Sequence, residues 1–173
     1  MGGLFMSTEI SYNEHAKEVT EILSKGAFLT TIVDGKVNTM TIAWGSIGFM
    51  WGKPVFTAMV RPSRYTYECL EKSQEFTVSI PFKDMSAALG VAGSKSGRDL
   101  DKLAAANLKT IPGKKISTPA IANCGLHYEC KVLYKQEMIQ DQLAADLKEK
   151  WYPTGNYHTL YFGEILATYL DEK

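Results

Sequence analysis

An excess of charge of either sign is missing from this 173-residue chain. Lys plus Arg total 19 and Asp plus Glu total 19, giving a formal net charge of zero at pH 7. That balance argues against a dedicated nucleic-acid binder, whose affinity comes mainly from surplus Lys and Arg meeting phosphates. Cysteine is scarce: Cys69, Cys124 and Cys130 form an odd, sparse set that fits a reducing compartment better than a disulfide framework. Long apolar runs are lacking too. The longest charge-free stretch, 37–52, is shorter than the ~20 apolar residues that span a bilayer, and Asn38, Thr39, Thr41 and Ser46 interrupt it. Residues 1–6 lack the basic start and apolar core of a secretory signal. Gly2 is not followed by the Ser or Thr that myristoylation needs at the position of Met6. The expectation is a cytoplasmic protein with no membrane and no nucleic-acid partner. No GxSxG, HExxH or telling pair of acids is present, so hydrolysis by side-chain chemistry has no support and no catalytic residue is named.

What is present is ordinary for a packed domain. Hydrophobic residues make up 45% and charged residues 22%. The length suits one domain, taken as 1–173, able to bury about two-thirds of its unfolded surface without a staple. Cys124, His127 and Cys130 look at first like a metal cluster. On a strand the two cysteines share one face and His127 takes the other, and six residues at ~3.3 Å each hold the sulfurs roughly 20 Å apart. No metal site is expected, and the cysteines read as buried thiols.

Periodicity predicts a short amphipathic helix over 13–23. Strands are expected at 27–33, 37–44, 55–60, 76–80, 124–134 and 159–169, the first two joined by an Asp34-Gly35 turn. Ser63 is the expected N-cap of a helix over 65–72, Asp84 of one over 86–91, and Asp99 of a turn through Ala105. An exposed helix is expected over 140–150, with Pro153 just beyond it. Strands dominate, so the fold expected is a closed or partly closed antiparallel barrel with helical insertions.

Four segments place polar groups where elements begin or end. Asn38-Thr39-Met40-Thr41-Ile42-Ala43-Trp44-Gly45 sets hydrogen-bonding groups beside a flat apolar surface, the combination a planar heterocycle needs, although an ordinary barrel strand carries similar residues. Arg61-Pro62-Ser63-Arg64-Tyr65-Thr66 surrounds a helix start with two guanidiniums and hydroxyls, suited to an anion or to a capped surface helix. Gly93-Ser94-Lys95-Ser96-Gly97-Arg98-Asp99 is a flexible cationic loop without a P-loop pattern; alone it reads as solvated, and beside the arginine segment it strengthens the case for an anionic ligand. Four cations, Arg61, Arg64, Lys95 and Arg98, thus cluster in two short loops. Tyr157-His158-Thr159-Leu160-Tyr161-Phe162-Gly163-Glu164-Ile165 is an aromatic strand with a histidine at its start.

Taken in order, these segments resemble the flavin reductase-like, FMN-binding split-barrel family, particularly its flavoredoxin branch, across residues 27–169. The resemblance implies a mainly β chain with short helices, folded as a six-stranded antiparallel split barrel that forms a homodimer. It further implies FMN as cofactor, lined by Asn38, Thr39, Met40 and Thr41, with Trp44 beside the ring. Arg61, Ser63, Arg64, Tyr65 and Thr66 would hold the ribityl phosphate, assisted by Lys95, Ser96 and Gly97, which leaves open which arginine faces it. His127 and His158 would lie near the isoalloxazine, and residues 136–152 would cover the mouth. The implied activity takes hydride from NAD(P)H onto the flavin and passes electrons to free flavin, a metal chelate or a protein. The chain has no GxGxxG fingerprint, which keeps alive a flavoredoxin-type electron carrier without its own NAD(P)H activity. A split-barrel module that binds another ligand is the third reading.

Overall fold

The protein is described by a computed structural model covering residues 6–172. Met1–Phe5, on which the N-terminal reading falls, lie outside the described residues, as does Lys173. In chain order the elements are β1 (Ser7–Glu9), α1 (Ala16–Leu23), β2 (Ala27–Val33), β3 (Lys36–Ile42), β4 (Gly45–Met50), β5 (Lys53–Val60), α2 (Tyr65–Ser73) and β6 (Glu75–Pro81). They continue with α3 (Ser86–Ser94), α4 (Lys102–Ala105), β7 (Thr110–Ile111), β8 (Ala120–Ile121), β9 (Gly125–Glu137), α5 (Ala145–Trp151) and β10 (Thr159–Asp171). One sheet runs β3-β2-β6-β9-β10-β5-β4, with β1 added against β10, and all its pairings are antiparallel. The class is mainly β with short helices, as expected.

The six expected strands are all present; the sheet holds eight because β1 and β4 join it. β4 escapes the sequence pattern because Gly45 and Gly48 dilute its strand propensity. It pairs with β5 across Trp51-Gly52, both at positive φ (53° and 70°), the backbone sign of a type I′ hairpin. Asp34-Gly35 makes the same kind of turn between β2 and β3 at φ 50° and 76°.

The barrel core follows the period-2 rule. Phe76, Val78 and Ile80 of β6 and Leu126, Tyr128 and Cys130 of β9 point inward with Leu29, Met40, Phe56 and Tyr161. The opposite face of β6 and β9 is buried as well, under residues 109–124. There every buried polar group needs a partner, and most have one. Thr77 Oγ1 donates to the Pro119 carbonyl (2.7 Å), and Ser79 Oγ accepts from the Ile121 N–H (3.1 Å). The carboxylate of Glu129 accepts the N–H groups of Lys114, Lys115 and Ile116.

Several local expectations are corrected. Cys124 and Cys130 are free and buried, but they do not share a face. Gly125 (φ 123°) breaks the strand path, so Cys124 packs with Phe28, Leu89 and Ile121 while Cys130 enters the barrel. α1 starts at Ala16, residues 13–15 being a turn. Ser63 does not cap α2: Arg64 occupies the N-cap position, and Ser63 Oγ instead accepts from Asn156 Nδ2 (2.8 Å). Asp84 does bond the Ser86 N–H (2.9 Å), and the helix it precedes runs on to Ser94. Asp101, not Asp99, caps α4, accepting from the N–H groups of Leu103 and Ala104. The helix expected over 140–150 divides into a 3₁₀ turn at Gln140–Gln142 and α5, because Leu143 and Ala144 are extended.

Gly163 of β10 lies where the barrel is tightest: an added Cβ would stand 2.6 Å from Phe76 Cζ and 2.9 Å from Cys130 Cβ. Gly163→Ala should therefore cost about 1–3 kcal/mol, the usual penalty of overpacking. It should appear as a lower urea midpoint at unchanged m-value, and an unchanged midpoint would reject the tight packing.

Candidate functional site

Where β3 leaves the barrel, it opens a cavity of ≈ 260 Å³ lined by Met40, Thr41, Ile42, Ala43, Trp44, Met59, Arg61, Arg64, Trp151 and His158. A second, almost wholly apolar cavity of ≈ 240 Å³ adjoins it through Trp44, Met59 and Trp151, and is closed by Met138, Leu143, Leu147 and Tyr152. Leu147 and Trp151, four residues apart on α5, turn one apolar face to the cavity, and Leu143 joins them from the extended link before the helix. Trp44 and Trp151 meet edge to face at 4.8 Å between the two spaces.

The arginines hold the walls. Arg61 donates to the carbonyls of Asn156 (2.9 Å) and Trp151 (3.0 Å), and its guanidinium lies 4.7 Å over the Tyr152 ring. It thereby fastens the chain between α5 and β10. Arg64, half-buried at the start of α2, donates to the carbonyls of Gly93 (2.8 Å) and Ala92 (3.3 Å) at the end of α3. Neither arginine has an acid partner among the described residues.

His158 is buried at the cavity edge, 5.3 Å from the Trp44 ring, with Nδ1 2.6 Å from the Tyr152 hydroxyl. Burial, with Arg61 nearby, pushes His158 down to about 4, and burial raises Tyr152. The pair is neutral. The Tyr152 hydroxyl also donates to Met138 Sδ (3.4 Å), so it ties His158 to the segment that closes the second cavity.

The sequence expectations divide three ways. Met40, Thr41, Trp44, Arg61, Arg64 and His158 line the cavity. Beside it lies a bonded patch: Asn38 Nδ2 donates to Thr66 Oγ1 (2.8 Å), Asn38 Oδ1 is buried without a partner, and Lys36 Nζ donates to the Gly97 carbonyl (3.2 Å). A Cβ on Gly97 would fall 2.1 Å from Asn38 Oδ1 and 2.7 Å from Tyr65 Cδ1, so this loop packs directly on α2 and β3. Lys95 is exposed and Ser96 Oγ accepts its neighbour's N–H at Arg98; neither lines the cavity. Arg98 pairs with Glu68, so one of the four clustered cations is neutralised by an acid one helical turn into α2.

Two expected residues stand elsewhere. Thr39 points to the β2 side of β3, where Oγ1 donates to the Leu29 carbonyl (3.2 Å). His127 is fully buried on β9, its Nδ1 2.9 Å from Ser79 Oγ and its Nε2 3.0 Å from Asp171 Oδ1, beneath Tyr169. Alternation along β9 sends it away from the barrel interior. Ile42, Ala43 and Met59 were not expected as site residues, and Trp151 and Tyr152 were expected only within the segment 136–152 over the mouth. Trp151 and Tyr152 carried a usable signal, being aromatics at the end of the segment expected to cover the mouth.

Residues 22–173 match the Flavin reductase like domain family, and the chain belongs to it. This is a family of flavin-linked oxidoreductases and electron carriers. An uncharacterized protein of Archaeoglobus fulgidus is 29% identical over 137 residues, covering 78% of this chain and 67% of its own. The flavoredoxin of Methanosarcina acetivorans superposes with a TM-score of 0.68 at 26% identity, over 85% of this chain and 68% of that one. An FMN-binding domain of a flavin reductases-like enzyme from Shewanella baltica has a TM-score of 0.69 at 16% identity, over 96% and 78%, and shows the shared split-barrel fold.

Because the unfolded chain protonates His158 below its ordinary 6.5 and the folded chain only near 4, this residue makes stability fall as pH drops across that window. His158→Gln should therefore lose less stability than the wild type between about pH 6.5 and about pH 5, as read from urea midpoints. Equal losses would show that the ring is not held neutral.

Proposed function

We propose that this chain is an FMN-dependent oxidoreductase that uses NAD(P)H and hands electrons to free flavin, a metal chelate or a redox protein. The observation that carries the reading is the cavity itself, which joins indole and methionine walls to two guanidiniums without acid partners among the described residues. The residues fit FMN. The unpartnered Asn38 Oδ1 and the close Gly97 backbone mark a polar cradle beside α2, and Trp44 supplies a flat apolar surface. Met40, Thr41 and Trp44 would line the ring, Arg64 would face the phosphate, and Arg61 would keep the 151–158 wall in place. When bound, FMN supplies the redox chemistry, accepting hydride and releasing electrons singly or in pairs. His158, held neutral by burial and by Arg61, offers a hydrogen-bonding ring nitrogen at the ring end and adds no charge there.

A carrier without NAD(P)H activity is the second reading, supported by the likeness to a flavoredoxin and by the lack of a GxGxxG segment. Its place of action is the cytoplasm, a reading supported by three free thiols. A homodimer is supported by an exposed aromatic patch on β4, β9 and β10: Phe49 (64% exposed), Trp51 (59%) and Tyr134 (46%), with Trp51, Tyr134 and Phe162 in mutual ring contact.

The purified protein should be yellow, or become so on addition of FMN. A protein that stays colourless after that addition overturns the reading. Stopped-flow mixing with NADH and NADPH should bleach the flavin; no bleaching by either leaves the carrier role. Arg64→Ala should weaken FMN binding by about 1–3 kcal/mol in a fluorescence titration, the range for a charge-assisted hydrogen bond. Trp51→Glu should shift sedimentation towards the monomer, and an unchanged dimer would remove this patch from the interface.

A further inference from the structure

A third space, of ≈ 400 Å³, is larger than either cavity described above, at ≈ 260 and ≈ 240 Å³. It is a groove between the end of α1, the end of β6 and the start of α3, floored by Ile22, Phe82, Met85 and Leu89. One layer divides it from the cavity at β3. Thr41 lines that cavity, Leu89 lines the groove, and Thr41 Oγ1 donates to the Leu89 carbonyl at 2.6 Å. No residue lines both spaces. Nothing in the proposed redox chemistry uses the groove.

Its floor is held in shape by the protein itself. Phe82 stays 42% exposed, yet its N–H is bonded to the Cys124 carbonyl at 2.7 Å. The ring is seated against Gly125, where an added Cβ would stand 2.9 Å from Phe82 Cδ2, and His15 meets it edge to face at 5.6 Å. Leu89 is seated in the same way against Gly26, where a Cβ would fall 3.3 Å from Leu89 Cδ1. Met85 is fixed by the Cys124 thiol, which donates to its Sδ at 3.6 Å. A preformed apolar floor loses little order when a ligand covers it, and covering it removes apolar surface from water.

The rim supplies the second half of the chemistry. Lys25 and Lys83 border the groove, and neither has an acid partner among the described residues. The one acid in the lining, Asp84, is engaged with the Ser86 N–H (2.9 Å) at the start of α3. Two cations against one anion give the groove a positive excess in a chain whose charges otherwise cancel. Lys83 and Met85 continue into an adjoining space of ≈ 270 Å³, where Leu108 and Lys109 repeat the pairing of apolar surface and cation. An inorganic anion would leave the floor in water, and a neutral hydrocarbon would leave the ammoniums unpaired. An apolar chain ending in a carboxylate matches both. We infer that this groove binds a medium-chain aliphatic carboxylate, its chain on Phe82, Met85 and Leu89 and its head at the Lys25 and Lys83 rim. The site does not rest on the function proposed above, since it shares no lining residue with that cavity.

Decanoate, kept below its micelle concentration, is the probe. In a calorimetric titration of the full chain it should bind once per chain, and it should raise the melting temperature. Decanol, the same chain without the charge, should bind roughly fivefold more weakly, the scale of ion pairs at a partly exposed site. Acetate, the charge without the chain, should leave the melting temperature unmoved. Lys25→Gln combined with Lys83→Gln should bind decanoate no better than decanol. Both lysines are exposed, so this variant is expected to fold as the wild type does. Phe82→Ser should weaken decanoate and decanol by the same factor. No binding of decanoate to the wild type, or equal binding of decanoate and decanol, overturns the inference. So does a preference for decanoate that survives the double lysine variant, because the ligand would then lie elsewhere, as in the apolar cavity beside Trp151. Should Phe82→Ser not fold, the double lysine variant decides alone.

Discussion

The pocket depends on one kind of interaction: guanidinium groups bound to main-chain carbonyls instead of carboxylates. Arg61 and Arg64 each donate to two carbonyl oxygens: Arg61 to Trp151 at the end of α5 and to Asn156 in the loop beyond it, Arg64 to Ala92 and Gly93 at the end of α3. A carbonyl at a helix C-terminus has no intrahelical donor and carries partial negative charge, so it accepts such a bond well. The geometry fixes two walls against the barrel, yet it cancels little of the arginine charge. An ion pair would have fixed the same walls and erased the potential, as it does for Arg98 with Glu68. A chain with zero net charge thereby keeps a local surplus of positive charge where an anion can reach it.

The opposite side of the barrel uses the mirror-image device. Glu129, fully buried, meets no cation within ion-pair distance and instead accepts three consecutive main-chain N–H groups from residues 114–116. Those bonds tie the covering segment to β9 and satisfy the carboxylate. The two sites differ in completeness. Glu129 has its acceptor lone pairs filled by donors, so the anion is structural and finished. Arg64 meets only the carbonyls of Ala92 and Gly93, and it borders a cavity. Unfinished hydrogen bonding beside open space is what separates a binding site from a scaffold.

Much of this was legible in the sequence where the signal is local. The Asp34-Gly35 turn, the alternation of β2 and β6, and the long aromatic β10 all follow from period-2 patterning and turn chemistry. Trp44, Arg61, Arg64 and His158 were legible as a set because their segments follow one another in a recognised order. What failed was information held in long-range partners. Nothing in Arg98 announces Glu68, and nothing in the strand pattern shows that a covering segment buries His127 with Ser79 and Asp171. β4 was missed because its glycines weaken its propensity while its pairing with β5 fixes it.

The resulting pocket has a polar end at Arg64 and a largely apolar end that Arg61 also reaches. At Arg64 the walls are polar backbone and cation. At Trp44, Met59 and Trp151 they are apolar, and His158 there is kept neutral by burial and by the nearby Arg61. A ligand with one phosphate and one planar ring then has a single favourable direction of entry, set by electrostatics at one end and by dispersion and desolvation at the other. Orientation is therefore fixed before any chemistry begins, by residues that need take no part in it.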